Sequence, residues 1–325
     1  MTPTGTDHRF CWGKHPWGRS PGVKVENHLR VHYIRIGWRL LRPPTLTASI
    51  TPVLVGTGLA IQQHALRVPV FLAMLVASML IQAAANMLNE YYDFRRGLDN
   101  ADMVGIAGTI VRDNVSPRTV LIITMSTLAA SLLLGVYISA ASSWWVAAAG
   151  IGSMLFMYLY SSGPFPISYT PLGEITAGVI MGPVIILITY FTQTHTLSWI
   201  AAIASLPIGV LIGAILLANN IRDIDHDRAG GRRTLPIVAG RSRAILILGA
   251  AFAVAFVCVP VLMLTQRLPA WTLLSLLAAP LAARVPILFT TARTSAQLQA
   301  AFKATSQTLI GFGFLLFIGL LLAKV

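Results

Sequence analysis

Eight of the eleven acidic residues in this chain fall into two short stretches. One holds Glu90, Asp93, Asp99, Asp102 and Asp113, and the other holds Asp223, Asp225 and Asp227. In the first, Asn86, Asn89 and Asp93 follow one another at spacings of three and four, which puts them on one face of a helix. Gly97 then lets the chain turn, so that Asp99 can return toward that face. In the second, Asn219, Asp223 and Asp227 recur every four residues and again share a face. Carboxylates stacked on one face repel each other, and desolvation near a membrane adds to the cost. A divalent cation removes both penalties. Oxygen donors without Cys or a His pair favour Mg²⁺, which keeps water and bridges one or two carboxylates to a substrate phosphate. Two such clusters, each with Mg²⁺, can hold a diphosphate between them while neighbouring arginines take the remaining oxygens. The bland alternative is a solvated network of Asp–Arg pairs. It accounts well for a single pair and poorly for two matched clusters.

The elements that must position these clusters are membrane spans. Of 325 residues, 55% are hydrophobic and only 11% charged, too few charges to cover a soluble globule. Two cysteines, Cys11 and Cys258, make no disulfide scaffold. Apolar segments run at roughly 45–64, 69–92, 118–139, 144–160, 174–193, 199–222, 244–265, 270–290 and 305–323. The expected fold is therefore an all-α polytopic membrane protein, with about nine transmembrane helices around a central cavity open to the cytoplasmic side. Pro183, Pro207, Pro260 and Pro280 are expected to kink their helices. Residues 1–28 read as a disordered basic extension, with the membrane domain over 29–325. The stretch from His28 to Leu41 reads as an amphipathic interfacial helix with Ile34, Trp38 and Leu41 on one side, ended by Pro43 and Pro44.

Charge sets the orientation. The chain has 24 Lys and Arg and a net charge of +13. With the N-terminus inside, only Arg67, Arg267 and Lys324 lie outside. The N-terminus is thus expected in the cytoplasm of a cell whose inner or plasma membrane holds the protein, with both acidic clusters on that side. The basic excess faces anionic lipid, and with no basic–aromatic patch no nucleic-acid partner is expected. Each cluster has Asn and then Asp four residues later, in spans two and six. This suggests two related helical units facing each other.

A diphosphate beside an apolar cavity points to a polyprenyl diphosphate lying in the lipid bilayer, attacked at its allylic carbon by an electron-rich acceptor. Transporters place charge at the bilayer midplane, whereas both clusters here lie at helix ends on one side. A phosphatidyl-group transferase would concentrate its acids in one Gly- and Ala-rich stretch, and this chain splits them.

At these residues the sequence resembles the UbiA superfamily of intramembrane prenyltransferases. The motifs are Asn89-Glu90-Tyr91-Tyr92-Asp93 with Asp99, and Asp223-Ile-Asp-His-Asp227. Arg39-Leu-Leu-Arg42-Pro43, Tyr169-Thr-Pro-Leu-Gly173-Glu174 and Gly231-Arg232-Arg233-Thr234-Leu235 fit as well. The resemblance implies a Mg²⁺ site built from Asn89, Asp93, Asp99, Asp223 and Asp227. It also implies a substrate-binding set that includes Asn86, Asn219 and Tyr160. The spacing in Asn86–Asp99, the doubled Asn219-Asn220 before Arg222-Asp223, and the Gly-basic-x-Thr-Leu run resemble the branch acting on 1,4-dihydroxy-2-naphthoate. That branch implies an aromatic acceptor that loses its carboxylate on prenylation. Other acceptors, such as 4-hydroxybenzoate, homogentisate or a non-quinone compound, are the alternative.

There are departures from the family pattern. Glu90 stands where relatives often have Asp, and it either ligates or faces away. Many relatives carry Tyr-x-x-x-Lys after span four, but here residues 161–173 contain no Lys or Arg. The positive clamp must then come from among Arg96, Arg112, Arg222 and Arg232. Arg112 is read either as a diphosphate ligand or as a loop cap through Asp113. Glu174 is read either as a first-turn acid or as an acceptor contact. Tyr91, Tyr92, Tyr160 and Tyr169 can shield a cation or belong to an interface belt. No residue stands out as a general base. Prenyl chain length and oligomeric state are not legible.

Overall fold

The structure is a computed structural model that describes residues 34–98, 108–162 and 166–323. The expected disordered extension and Asp99 lie outside the described residues. Residues 34–41 are helical, and Ile34, Trp38 and Leu41 are all exposed, as an interfacial helix requires.

Nine apolar helices follow among the described residues. We label them α1 (Pro43–Ile61), α2 (Val68–Arg95), α3 (Pro117–Ala141), α4 (Trp145–Ser161), α5 (Gly173–Thr194), α6 (Trp199–Arg222), α7 (Arg241–Leu264), α8 (Ala270–Thr291) and α9 (Ser295–Leu322). Eight are long and apolar enough to cross a membrane, and α4 is the shorter exception. Segment order agrees with the sequence reading, with one notable difference in length. Helix α9 starts ten residues before its apolar run, because Thr294 and Gln297 form a capping box that satisfies the first backbone amides. Its opening turns are polar, so hydropathy alone does not register them.

The prolines act in different ways. Pro183 sits in a π-helical stretch, Ile180–Val184, inside α5. Pro207 follows a break in α6 at Ser205, where one α-helix ends at Ala204 and the next begins at Leu206. Pro280 opens the α-helical part of α8 after a 3₁₀ stretch, Ala270–Ala278. Pro260 lies within an α7 that remains α-helical from Arg241 to Leu264.

The main apolar core joins α1 and α5 through α9, with Ile186, Ile208, Leu211, Leu248, Phe289 and Phe312 fully buried. Lipid offers no hydrophobic drive between helices, so close packing must come from small residues. Gly178 and Gly182 of α5 meet Gly209 of α6 in this way: a Cβ on Gly178 would lie 2.7 Å from the Gly209 carbonyl oxygen. That close approach draws the start of α5 against α6, whose far end carries the second acidic motif.

A second, smaller apolar cluster includes Val70, Met74, Ala77, Ile138 and Val146. It walls part of a cavity of about 290 Å³ lined by α1 through α6 and by Phe302 of α9. At one end stand Arg42, Asn86, Asn89, Tyr160 and Asn219, and at the other Met74, Ile138 and Val146. Fifteen residues of α2 separate Asn89 from Met74, so the cavity runs about 22 Å along the helix at 1.5 Å per residue.

Candidate active site

Both acidic motifs emerge at the polar end of this cavity. Asp93 sits in the last turn of α2. Asp223 caps α6, and Asp227 lies on the short helix Ile224–Ala229 that follows. Between the two motifs stands Arg232. Its Nη2 donates to Asp93 Oδ1 at 2.5 Å and its Nη1 to Asp227 Oδ1 at 3.0 Å. One guanidinium therefore ties the end of α2 to the loop after α6. The Arg232 backbone is pinned too: its amide donates to the Asp227 carbonyl at 3.0 Å, and that of Arg233 donates to the Tyr169 carbonyl at 2.8 Å.

Burial governs the electrostatics here. Asp227 is 2% exposed, and desolvation pushes its carboxyl up to about 7. Arg232 pulls in the opposite direction, while Asp223 and Asp93 add to the rise. Asp227 Oδ2 is buried without a hydrogen-bond partner. For Arg232 itself, burial disfavours the cation, but Asp93 and Asp227 outweigh it and hold the guanidinium more firmly charged than usual.

The other predicted arginines divide by environment. Arg222 makes a bidentate pair with Asp223, at 2.8 Å from Nε and 2.6 Å from Nη2. It also donates to Asn219 Oδ1 at 2.8 Å and Gln299 Oε1 at 3.0 Å, with its Cζ 4.6 Å from the Phe302 ring centroid. Arg96 donates to the Ser161 carbonyl at 3.0 Å and lies over two rings, Tyr169 at 5.1 Å and Tyr92 at 5.6 Å. Tyr169 is shared, because Arg232 stacks on it at 4.9 Å. Arg112 ends the short helix Thr109–Arg112 and is half-buried.

Several residues turn out to brace the site. Glu90 is 1% exposed and faces the loop after α2. It accepts from the Thr109 amide at 2.6 Å, the Ile110 amide at 3.2 Å and the Thr109 hydroxyl. Arg42 approaches its other oxygen at 3.6 Å. Of the two readings of Glu90, facing away from the metal motif fits this geometry. Asn86 lines the cavity but directs its amide to the Leu41 carbonyl at 3.0 Å and the Thr45 hydroxyl at 2.9 Å, tying α2 to the start of α1. Asp113 pairs with Arg39 at 2.6 Å. Glu174 is buried at the start of α5, where it accepts from Asn220 at 2.8 Å, and its Oε2 has no hydrogen-bond partner. Tyr160 lines the cavity, and its hydroxyl is 3.3 Å from where a Cβ on Gly173 would lie. Asn89 and Asn219 line the cavity from opposite helices.

The Tyr169 platform and the Glu90 brace escape sequence reasoning. Both depend on contacts across spans, which no local spacing encodes. Arg39 pairs with Asp113 beyond α2 and Arg42 approaches Glu90 within α2, but Arg42 has a left-handed backbone between two helices, so no helix-face spacing encodes these pairings.

Among the described residues, no three His, Cys, Asp or Glu side chains cluster closely enough to form a metal cage by themselves. The donor set is still suited to Mg²⁺. Asp93 and Asp227 are held one guanidinium apart, Asp227 has a buried oxygen without a partner, and Mg²⁺ needs only one or two carboxylates when phosphate supplies the rest.

Residues 49–309 match the UbiA prenyltransferase family. The chain belongs to the UbiA prenyltransferase family. It is 46% identical over 289 residues to the 1,4-dihydroxy-2-naphthoate octaprenyltransferase of Bacillus subtilis, covering 89% of this chain and 93% of that protein. It is 35% identical over 243 residues to the enzyme of the same name from Mycobacterium tuberculosis, covering 75% and 82%. The fold also matches a UbiA homolog from Archaeoglobus fulgidus solved with DMAPP and Mg²⁺, with a TM-score of 0.59 and 19% identity over 87% of this chain and 99% of that one. A UbiA homolog from Aeropyrum pernix K1 gives a TM-score of 0.64 at 15% identity, covering 86% and 98%. This UbiA chain is thus a multi-pass membrane prenyltransferase, as its motifs and spans anticipated.

Proposed function

We propose that this UbiA prenyltransferase moves a polyprenyl group from polyprenyl diphosphate to 1,4-dihydroxy-2-naphthoate, giving a demethylmenaquinol, the reduced form of demethylmenaquinone. The observation that carries the reading is the meeting of both acidic motifs at Arg232, at the mouth of an apolar cavity that can take an isoprenoid tail. The 46% identity to the Bacillus subtilis enzyme favours naphthoate over 4-hydroxybenzoate or homogentisate as acceptor.

In this reading Asn89, Asp93, Asp223 and Asp227, together with Asp99, hold Mg²⁺, which neutralises the departing diphosphate. Arg232 and Arg96 meet the diphosphate oxygens from their shared seat on Tyr169. Arg222 keeps Asn219 and Asp223 in place through its bidentate contact. Asn86 and Glu90 fix the frame of α2. Cavity walls from α2 to α5 receive the tail and keep water from the allylic carbon. The donor C–O bond breaks and its electron pair leaves with diphosphate. The ring carbon bearing the carboxylate forms the new C–C bond, and loss of CO₂ returns the electron pair to the ring. No protein base is needed for that step. Catalysis is positioning and electrostatics. The basic loops orient the site to the cytoplasm.

The test is an assay of the purified protein in a membrane with Mg²⁺ and radiolabelled polyprenyl diphosphate. Separate samples receive 1,4-dihydroxy-2-naphthoate or 4-hydroxybenzoate. Label transfer to the naphthoate with CO₂ release, lost in EDTA, is the expected result. Transfer only to benzoate would overturn the acceptor assignment.

A further inference from the structure

Asp93 Oδ1 and Asp227 Oδ1 both accept from the one Arg232 guanidinium. A divalent ion drawn to those oxygens sets its charge against the guanidinium that already holds them, so the two cations compete for the same carboxylates. We propose that Arg232 is a resident counter-cation: it neutralises the two carboxylates until metal and diphosphate arrive together, then yields the carboxylates to the metal and takes the diphosphate. The inference rests on the reading of Asp93 and Asp227 as metal ligands, and it adds the order in which the site fills.

Three features make this contact exchangeable. First, Arg232 touches one oxygen of each carboxylate and not the fork-to-fork pair that Arg222 makes with Asp223. Asp227 Oδ2 is left buried and unpartnered, so the arrangement does not exhaust the donors. Second, the guanidinium has another seat. Its Cζ lies 4.9 Å from the Tyr169 ring centroid, and a stacked arginine stays stabilised while its N–H groups are redirected. Third, the backbone on either side is tied, at Arg232 to the Asp227 carbonyl and at Arg233 to the Tyr169 carbonyl. The exchange is thus a side-chain movement within a fixed loop. Arg222, with Asp223, Asn219, Gln299 and the Phe302 ring around it, is locked by contrast.

The physical consequence is coupling. Metal alone sets its charge against that of Arg232 and brings no new anion to receive the guanidinium. Metal with diphosphate supplies that anion. Binding of the two is therefore cooperative, and Arg232 carries the coupling.

The experiment uses the full chain in nanodiscs and Mn²⁺ as an EPR-visible probe. Mn²⁺ is titrated alone into wild type, Arg232→Gln and Arg232→Lys. Labelled pyrophosphate binding is then measured at saturating Mn²⁺. Arg232→Gln is expected to bind Mn²⁺ alone roughly tenfold more tightly than wild type and pyrophosphate roughly tenfold more weakly, a coupling of ordinary size. Arg232→Lys keeps the charge and is expected to restore weak binding of Mn²⁺ alone, which separates charge from folding. If Arg232→Gln binds Mn²⁺ no more tightly than wild type, while Asp93→Asn abolishes Mn²⁺ binding, the metal reading stands and the counter-cation inference falls. If no form binds Mn²⁺ even with pyrophosphate, both fall.

Discussion

Asp93 and Arg232 lie 2.5 Å apart although 139 positions separate them in the chain. That contact joins the end of α2 to the loop after α6, the two places where the acids of this protein concentrate. Asp227 holds the other nitrogen of Arg232, and the ring of Tyr169 lies beside it.

Removing either carboxylate takes away a ligand of the Mg²⁺ that would neutralise the leaving diphosphate. Asp93→Ala and Asp227→Ala are each expected to lower kcat by at least about a hundredfold, the usual scale for a preorganised charge in a low-dielectric site. Label transfer in nanodiscs measures this. Activity within a few-fold of wild type would remove that residue from the site.

Glu90 is expected to behave differently, although it sits inside the same motif. It accepts from Thr109 and Ile110, so Glu90→Gln weakens the anchor of the loop after α2 by roughly 1–3 kcal/mol. The melting temperature is expected to fall while the Mg²⁺ concentration for half-maximal activity stays where it was. A shifted Mg²⁺ requirement would make Glu90 a ligand after all.

Asp227 predicts a pH dependence. Burial raises its carboxyl from an ordinary 3.8 to about 7, so between those values the folded protein holds a proton that the unfolded chain releases. The folded state binds more protons in that window, and stability of the metal-free protein is expected to fall as pH rises from about 4 to 7. Asp227→Asn is expected to flatten that slope in thermal melts. An unchanged slope would place the titration elsewhere.

The cavity predicts a control over tail length. Gly150 of α4 lines it, whereas Gly152, two positions on, is exposed and not part of the lining. At both, a Cβ would meet nothing within 4 Å. Gly150→Leu is expected to cut kcat/KM for long donors about tenfold relative to short ones, while Gly152→Leu changes neither. Equal effects from both would mean that the tail does not pass Gly150.

How much of this was legible in the sequence follows from the range of each interaction. Composition and apolar run length reveal the spans, because a bilayer thickness imposes about twenty residues whatever the neighbours are. Asn–Asp spacing puts Asn86, Asn89 and Asp93 on one face of α2, because a helix fixes every third or fourth side chain on one side, whereas the second motif is split where α6 ends at Asp223 and Asp227 stands on a separate short helix. The charge count places both motifs on one side of the membrane. These are local or one-dimensional constraints, and a reader of the chain can apply them directly.

Only the tertiary structure decides which groups meet. Asn86, Asn89 and Glu90 stand within five positions in one helix. Even so, Asn86 braces α1, Glu90 holds the loop at Thr109, and Asn89 lines the cavity. Arg222 and Arg232 look interchangeable in sequence, but one is locked against Asp223 and the other bridges two motifs. These differences arise from packing between helices far apart in the chain, notably the close approach of Gly178 and Gly182 to Gly209 that sets α5 against α6. A pairing across such distances depends on where several helices settle against one another, and no spacing along a single helix encodes it.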